Sequence, residues 1–336
     1  MRFFGGIWGL GEEISPKNRR AVGATRTVLT RGSRSGRPIA YRGAVQIQDF
    51  LGLQATHNPY RWHLPVAERL CTPERFLFGG CGLSAAIAAL EHTTGRPIVW
   101  ATAQFLSYAR TGEVVDLDVT IPVSGRNSTQ ARIVGHVADR EIFTVNAALG
   151  SRPLDIDQSY TTPTEVPPPE DCRGRLPAFP GMDTIMSHLD VRLARARIWN
   201  DLDGTPAPGG RSTLWVRIPD LDEMTAAGLA ILGDYVPFGI GQALGIPGGG
   251  NSLDNTIRVV RSRPTEWVLV DIQVHGIDRG FAHGTVHLHA HDGTLLATAS
   301  QSTIVRFWDQ EKLDRRREAL AGSGPDGDAA ASAATT

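Results

Sequence analysis

Apolar and polar residues in this chain fall into two successive segments that share one order of rhythms. The first opens with FLFGG (76–80) and LSAAIAALEHT (83–93). Ala, Leu and Ile dominate there, as in a buried helix, and Gly79-Gly80 suits a tight turn into it. Four strand-like stretches follow. IVWATAQFLSYA (98–109) is apolar, β-branched and aromatic, and VVDLDVTIPV (114–123) alternates with period two. NSTQARIVGHVAD (127–139) and EIFTVNAAL (141–149) complete the set, punctuated by Gly112, Gly125 and the Asp139-Arg140 pair as turns.

Residues 151–185, with VPPPEDCRGRLPAFPG at their centre, are too rich in proline and acid to continue a helix or a central strand, and predict a linker. The order then repeats. STLWVRIP (212–219) predicts a strand, and LDEMTAAGLAILGDYVPFGIGQAL (221–244) a long, mostly buried helix. Asp222 and Glu223 suit that helix's N-terminus through its dipole, and Pro237 predicts a kink or break. LDNTIRVVR (253–261), EWVLVDIQVHG (266–276), GFAHGTVHLHAH (280–291) and TLLATASQSTIVRFW (294–308) are four more strands, with Asp292-Gly293 as a hairpin turn.

A buried helix followed by four long strands thus occurs twice. A curved antiparallel sheet wrapped round such a helix buries it on all sides, and two such halves set edge to edge remove an exposed strand edge from each. The expected class is α+β, a double hotdog: two curved antiparallel sheets, each round a central helix. The expected division is an N-terminal hotdog over 46–150, the linker over 151–185 and a C-terminal hotdog with the catalytic residues over 186–310. Residues 1–44 hold nine basic and two acidic residues, so 1–45 reads as a disordered basic extension, either an arm for phosphates or an unused upstream start. The small-residue stretch within 311–336 reads as a disordered tail.

Composition narrows the function. Lys plus Arg total 34 against 35 for Asp plus Glu, a net charge of -1, which offers no global field for nucleic acid or an anionic membrane. Cys71, Cys81 and Cys172 form neither a disulfide framework nor a CxxC knuckle, and reduced thiols in a cytoplasmic protein are the plain reading. No apolar run is long enough to span a bilayer. Neither a cofactor nor a metal is implied.

The ordered series of motifs resembles the bacterial type II acyl-CoA thioesterases and their thioesterase-like relatives, a double-hotdog family. In the first half the likeness rests on FGG (78–80), Gln104-Phe105-Leu106 and GRNSTQAR (125–132). In the second it rests on Asp234, SLDNTIRVVR (252–261), EWVLV (266–270), RGFAHG (279–284) and DGTLLATASQSTIVR (292–306). The resemblance spans about residues 46–308. It implies hydrolysis of acyl-CoA to fatty acid and CoA by water held between a carboxylate, a hydroxyl and a glutamine: Asp234, Ser252 and Gln301. Relatives carry threonine where this chain has Ser252, and aspartate-histidine where it has Asp254-Asn255. The first-half helix lacks an equivalent acid, so one site per chain is expected. The resemblance also implies assembly into dimers or tetramers.

This trio suits the chemistry. A buried Asp234 can serve as general base, Ser252 can orient the same water, and Gln301 can hold the water or polarise the thioester. Taken singly, each also reads as an ordinary cap or sheet residue. Gly79, Gly80, Arg258, Arg261 and Arg279 are the candidate substrate contacts, the arginines for CoA phosphates. His287, His289 and His291 share one strand face and could bind zinc, but lining a solvent face is the simpler reading. Cys81 at a helix start reads as a small core residue rather than a nucleophile. There is no GxSxG elbow, and GIGQALG (239–245) lacks dinucleotide-binding spacing. The alternatives are a double hotdog that binds acyl thioesters without cleaving them and, less well supported by motif, a hotdog hydratase.

Overall fold

The structure, a computed structural model, describes residues 45–175 and 181–309 together with positions 311, 313, 314 and 318. The expected extension over 1–45, Val45 excepted, and most of the expected tail over 311–336 lie outside the described residues.

The first half begins with helix α1 (Ile47–Leu51) and strands β1 (Gln54–Ala55) and β2 (Arg61–Pro65). Helix α2 (Gly79–Thr94) follows, then β3 (Ile98–Phe105), β4 (Val114–Ser124), β5 (Ser128–Val137) and β6 (Arg140–Gly150). Every residue of α2 from Gly80 to Leu90 is buried, which explains why its sequence has no polar stripe. Strands β4 and β5 bury alternate residues, Val115, Leu117 and Ala131, Ile133 among them, and these meet the helix.

The second half comprises β7 (Arg173–Gly174), β8 (Asp190–Arg195), β9 (Arg211–Arg217), helices α3 (Ala226–Gly233) and α4 (Val236–Leu244), β10 (Gly248–Ser252), β11 (Asp254–Val259), β12 (Val268–Asp278), β13 (Phe281–Ala290) and β14 (Leu295–Phe307). Asp292-Gly293 makes the β13–β14 turn, Gly293 taking φ 85° while the Asp292 carboxylate accepts the Thr294 N–H. The segment read as one helix over 221–244 is two. Asp222 and Glu223 precede α3, whose N-cap is Thr225, with Oγ1 accepting from Gly228 N–H. The break falls at Asp234-Tyr235; Pro237 sits in the first turn of α4, where no backbone donor is required of it.

All these strands belong to one sheet, in the order β1-β2-β4-β5-β6-β3-β11-β14-β13-β12-β9-β8-β7, with β10 on β14. The halves are internal copies. β10 and the split of the second helix apart, each runs strand, helical segment, then four strands, and β2-β4-β5-β6-β3 in one matches β9-β12-β13-β14-β11 in the other. Strands β3 and β11 lie at the inner edges, and these zip together antiparallel, Asp254 opposite Gln104 through Arg258 opposite Trp100. No open edge is left at the seam, in keeping with an α+β double hotdog. The helices α2 and α3 pack against each other, and a single apolar core runs through both halves.

Residues 151–168 form no helix or strand and cross the outer face of the second half. Pro167 carbonyl accepts from Trp215 Nε1 at 2.9 Å, Thr164 donates to Asp271, and Cys172 packs with Trp215 and Leu269.

Candidate active site

Asp234 occupies the junction between α3 and α4, where the chain leaves helical geometry at φ -91° and ψ 47°. Its side chain points back towards the first half and is 4% exposed. There α2 begins without a side-chain cap of its own, so its first amides need an acceptor. Asp234 supplies it: Gly80 N–H donates to Asp234 Oδ2 at 2.6 Å. A Cβ on Gly80 would lie 2.8 Å from the Phe78 ring and 3.0 Å from Asp234 Cβ and Ile231 Cα, so only glycine allows this approach.

The other carboxylate oxygen, Oδ1, is met by Ser252 and Gln301. Ser252 ends β10, where register with Thr303 on β14 fixes it. Its hydroxyl donates to Asp234 Oδ1 at 3.1 Å. Gln301, on β14, donates from Nε2 to the same oxygen and to Ser252 Oγ at 3.0 Å. Gln301 Oε1 accepts from Val236 N–H at 3.1 Å, which ties the amide to the start of α4. Two side chains, one of them 67 residues away, thus converge on one carboxylate oxygen.

The electrostatics have two opposed causes. Burial penalises the charged carboxylate, while hydrogen bonds from Gln301, Gly80 and Ser252 favour it. Burial wins, and the Asp234 pKa is raised from 3.8 to about 6. An acid so placed is largely ionised at neutral pH yet more basic than an exposed aspartate.

Asp234 and Ser252 face a cavity of about 630 Å³, whereas Gln301 lies behind them. Aromatic and aliphatic side chains dominate its walls: Phe78, Phe105, Met186, Leu193, Phe238 and Trp199. Gly79 also lines it, and the Gly79 amide has no acceptor among the described residues. A carboxylate, a hydroxyl and a free helix-terminal amide therefore border an apolar chamber large enough for an acyl chain.

A family model described as the acyl-CoA thioesterase C-terminal domain matches residues 163–305. Among solved structures, a candidate thioesterase from Novosphingobium aromaticivorans is 32% identical, covering 75% of this chain and 97% of that one with a TM-score of 0.68. This chain belongs to the bacterial acyl-CoA thioesterase II and thioesterase-like superfamily. Two more distant structures share the fold. A conserved hot dog protein of unknown function from Alicyclobacillus acidocaldarius is 19% identical, covering 78% of this chain and 98% of that one at TM-score 0.68. An acyl-CoA thioesterase II from Mycobacterium marinum is 20% identical, covering 78% and 99% at TM-score 0.61. No curated protein matches the sequence.

Other candidate residues of this thioesterase-family chain lie elsewhere. Arg258, Arg261 and Arg279 are not among the residues lining the cavity: Arg261 pairs with Asp157, and Arg279 pairs with Asp278 at the tip of β12–β13. The arginines that do line it are Arg175, Arg197 and Arg306, none of which is among the arginines expected from the sequence to meet CoA. Cys81 is fully buried and its thiol pKa is pushed well up, by burial first and then by the Asp234 charge, which suits a core residue. The histidines do not share a solvent face. His289 is fully buried with both ring nitrogens unpartnered, and burial lowers its pKa. No cluster of three or more His, Cys, Asp or Glu is placed to hold a metal among the described residues. Asn255 points into the core, its amide atoms unpartnered, and is no part of the cavity wall. No helix among the described residues is long and apolar enough to cross a membrane.

Proposed function

We propose that this chain is an acyl-CoA thioesterase that hydrolyses its substrate with water activated by Asp234, Ser252 and Gln301. The observation that carries the reading is a buried carboxylate of raised pKa facing an apolar cavity, with a hydroxyl beside it and an unclaimed amide nearby.

The acyl chain lies along the apolar walls and brings the thioester carbonyl to the cavity side of Asp234. Ionised Asp234 takes a proton from water as the water oxygen attacks the carbonyl carbon, and the carbonyl electron pair moves onto oxygen. The Gly79 N–H at the positive end of α2 donates to that developing oxyanion. The intermediate collapses by breaking the C–S bond, CoA leaves as thiolate, and the proton held by Asp234 passes to it. The products are a fatty acid and the CoA thiol.

Ser252 holds the water against Asp234. Gln301, with both N–H bonds turned to Asp234 and Ser252, keeps those two in register rather than touching the thioester. The division into hotdogs over 46–150 and 186–310 with a crossing over 151–185, a dimer or tetramer, and a cytoplasmic setting belong to the same proposal.

The test is CoA release from a panel of acyl-CoA thioesters, followed with a thiol reagent. Wild type is expected to turn over, and Asp234→Asn to lose at least about 100-fold in kcat. Wild-type rates no faster than buffer on the whole panel would sink the proposal. Calorimetry showing tight acyl-CoA binding without turnover would instead establish the non-hydrolytic binding module.

A further inference from the structure

Three arginines line the cavity, and they are not equivalent. Arg197 is neutralised by Asp203 at 3.1 Å and donates to the Thr205 carbonyl. Arg306 is exposed at the cavity's edge, its Nε donating to Asn251 Oδ1 at 3.4 Å. Arg175 is half-buried and has no carboxylate within ion-pair distance among the described residues.

Neutral acceptors position Arg175. Its backbone N–H donates to Val191 carbonyl at 2.8 Å, which holds the residue beside β8. Its Nη2 donates to Met186 carbonyl at 3.0 Å, while Nη1 reaches Met186 Sδ at 3.7 Å and the Tyr235 hydroxyl at 3.4 Å. Tyr235 directly follows Asp234, so the guanidinium is anchored to the residue next to the base. Met182, Leu193 and Phe238 line the same cavity. Glu74, Asp234 and Asp309 also line the cavity, but none pairs with Arg175. A permanently charged group facing a largely apolar wall without a paired counter-charge is costly unless a ligand provides one. A neutral alkyl chain provides none.

We propose that Arg175 is a specificity-determining residue that takes an oxyanion of the substrate inside the cavity, a carboxylate carried by the acyl group. The preferred substrates are then thioesters of carboxy-substituted acyl groups. This inference rests on the thioesterase reading above and specifies its substrate class. A CoA phosphate offers similar oxyanion chemistry. However, phosphates are multiply charged and strongly hydrated, and they suit the exposed Arg306 better than one guanidinium among methionine, leucine and phenylalanine.

The test compares chain-matched pairs of saturated and ω-carboxy acyl thioesters over several lengths, each acyl group on CoA and on N-acetylcysteamine, which carries no phosphate. Wild type is expected to favour the carboxylated member. Arg175→Met is expected to lower the carboxylated-to-neutral ratio of kcat/KM by about 10- to 100-fold, chiefly through KM, on both thiols. Arg175→Lys is expected to restore part of the ratio. A wild-type enzyme with no preference for the carboxylated member overturns the inference without recourse to any variant. A ratio that Arg175→Met leaves unchanged also overturns it. So does a loss shared by both CoA esters and absent from the N-acetylcysteamine esters, which would assign the guanidinium to phosphate. Hydrolysis of neutral esters alone leaves the thioesterase reading standing, whereas hydrolysis of no ester removes the reading itself.

Discussion

Replacing Asp234 by Asn should change how stability depends on pH as well as remove activity. In the folded chain the Asp234 pKa stands at about 6 against an ordinary 3.8. That gap of about 2 units, at about 1.4 kcal/mol each, corresponds to roughly 3 kcal/mol. The native state holds this proton more tightly than the unfolded chain, so the contribution is fully present below pH 3.8 and is lost as pH rises through about 6. The substituted side chain would not titrate. With one oxygen in place of two, its NH2 would face either Gly80 N–H or the Gln301 amide donor, a pH-independent cost of about 1–3 kcal/mol. Urea unfolding of both proteins from pH 4.5 to 7.5 cancels every other titrating group in the difference. The variant should gain about 2 kcal/mol on wild type across that range, since part of the window lies below it. A difference that stays flat within about 0.5 kcal/mol would refute the claim that burial outweighs the three hydrogen bonds.

Four further outcomes follow from the structure. For wild type, kcat/KM should rise through a limb near pH 6, because the base works only when ionised. Ser252→Ala removes a donor to that carboxylate, so its pH profile should move that limb upward while the plateau falls about 10-fold or more. Gly80→Ala forces a methyl against Phe78, Asp234 and Ile231. It should cost about 1–3 kcal/mol in urea unfolding and most of the activity, and an unaffected variant would show that the α2 contact is not tight. His289→Leu removes a fully buried imidazole with no partner on either nitrogen. It should stabilise by about 1 kcal/mol or more at pH 7.5 in urea unfolding. The gain should widen towards pH 5.5, because burial lowers this pKa and the wild type loses stability as the unfolded chain takes up the proton.

The strands with period-two patterning, β4 and β5 above all, and the largely apolar helix α2 were legible from the residues, because burial on one face or on all faces leaves a direct imprint on composition. Strand β10 was not. Its sequence GGGNS has no strand propensity, and it exists because β14 pairs with it from Phe307 to Thr303. Strands β2 and β8 were missed for want of length, so the copy of β9 in the first half went unseen. Within the site, Asp234, Ser252 and Gln301 came from the order of motifs; nothing local to any of them predicts that they touch. Arg175 gave no signal at all. It lies in a stretch whose prolines predict only a crossing, and its environment is made by Met186 and Tyr235 from elsewhere in the chain.

The carboxylate of this site hangs from the C-terminal half, but the amide that grips it belongs to Gly80. A fragment limited to the span that matches the family model, 163–305, would therefore leave Asp234 without the partner on Oδ2 and would open the β11 edge that β3 now covers. The geometry of the carboxylate thus depends on both halves being present, and two separately expressed pieces could regain it only by docking along that shared seam.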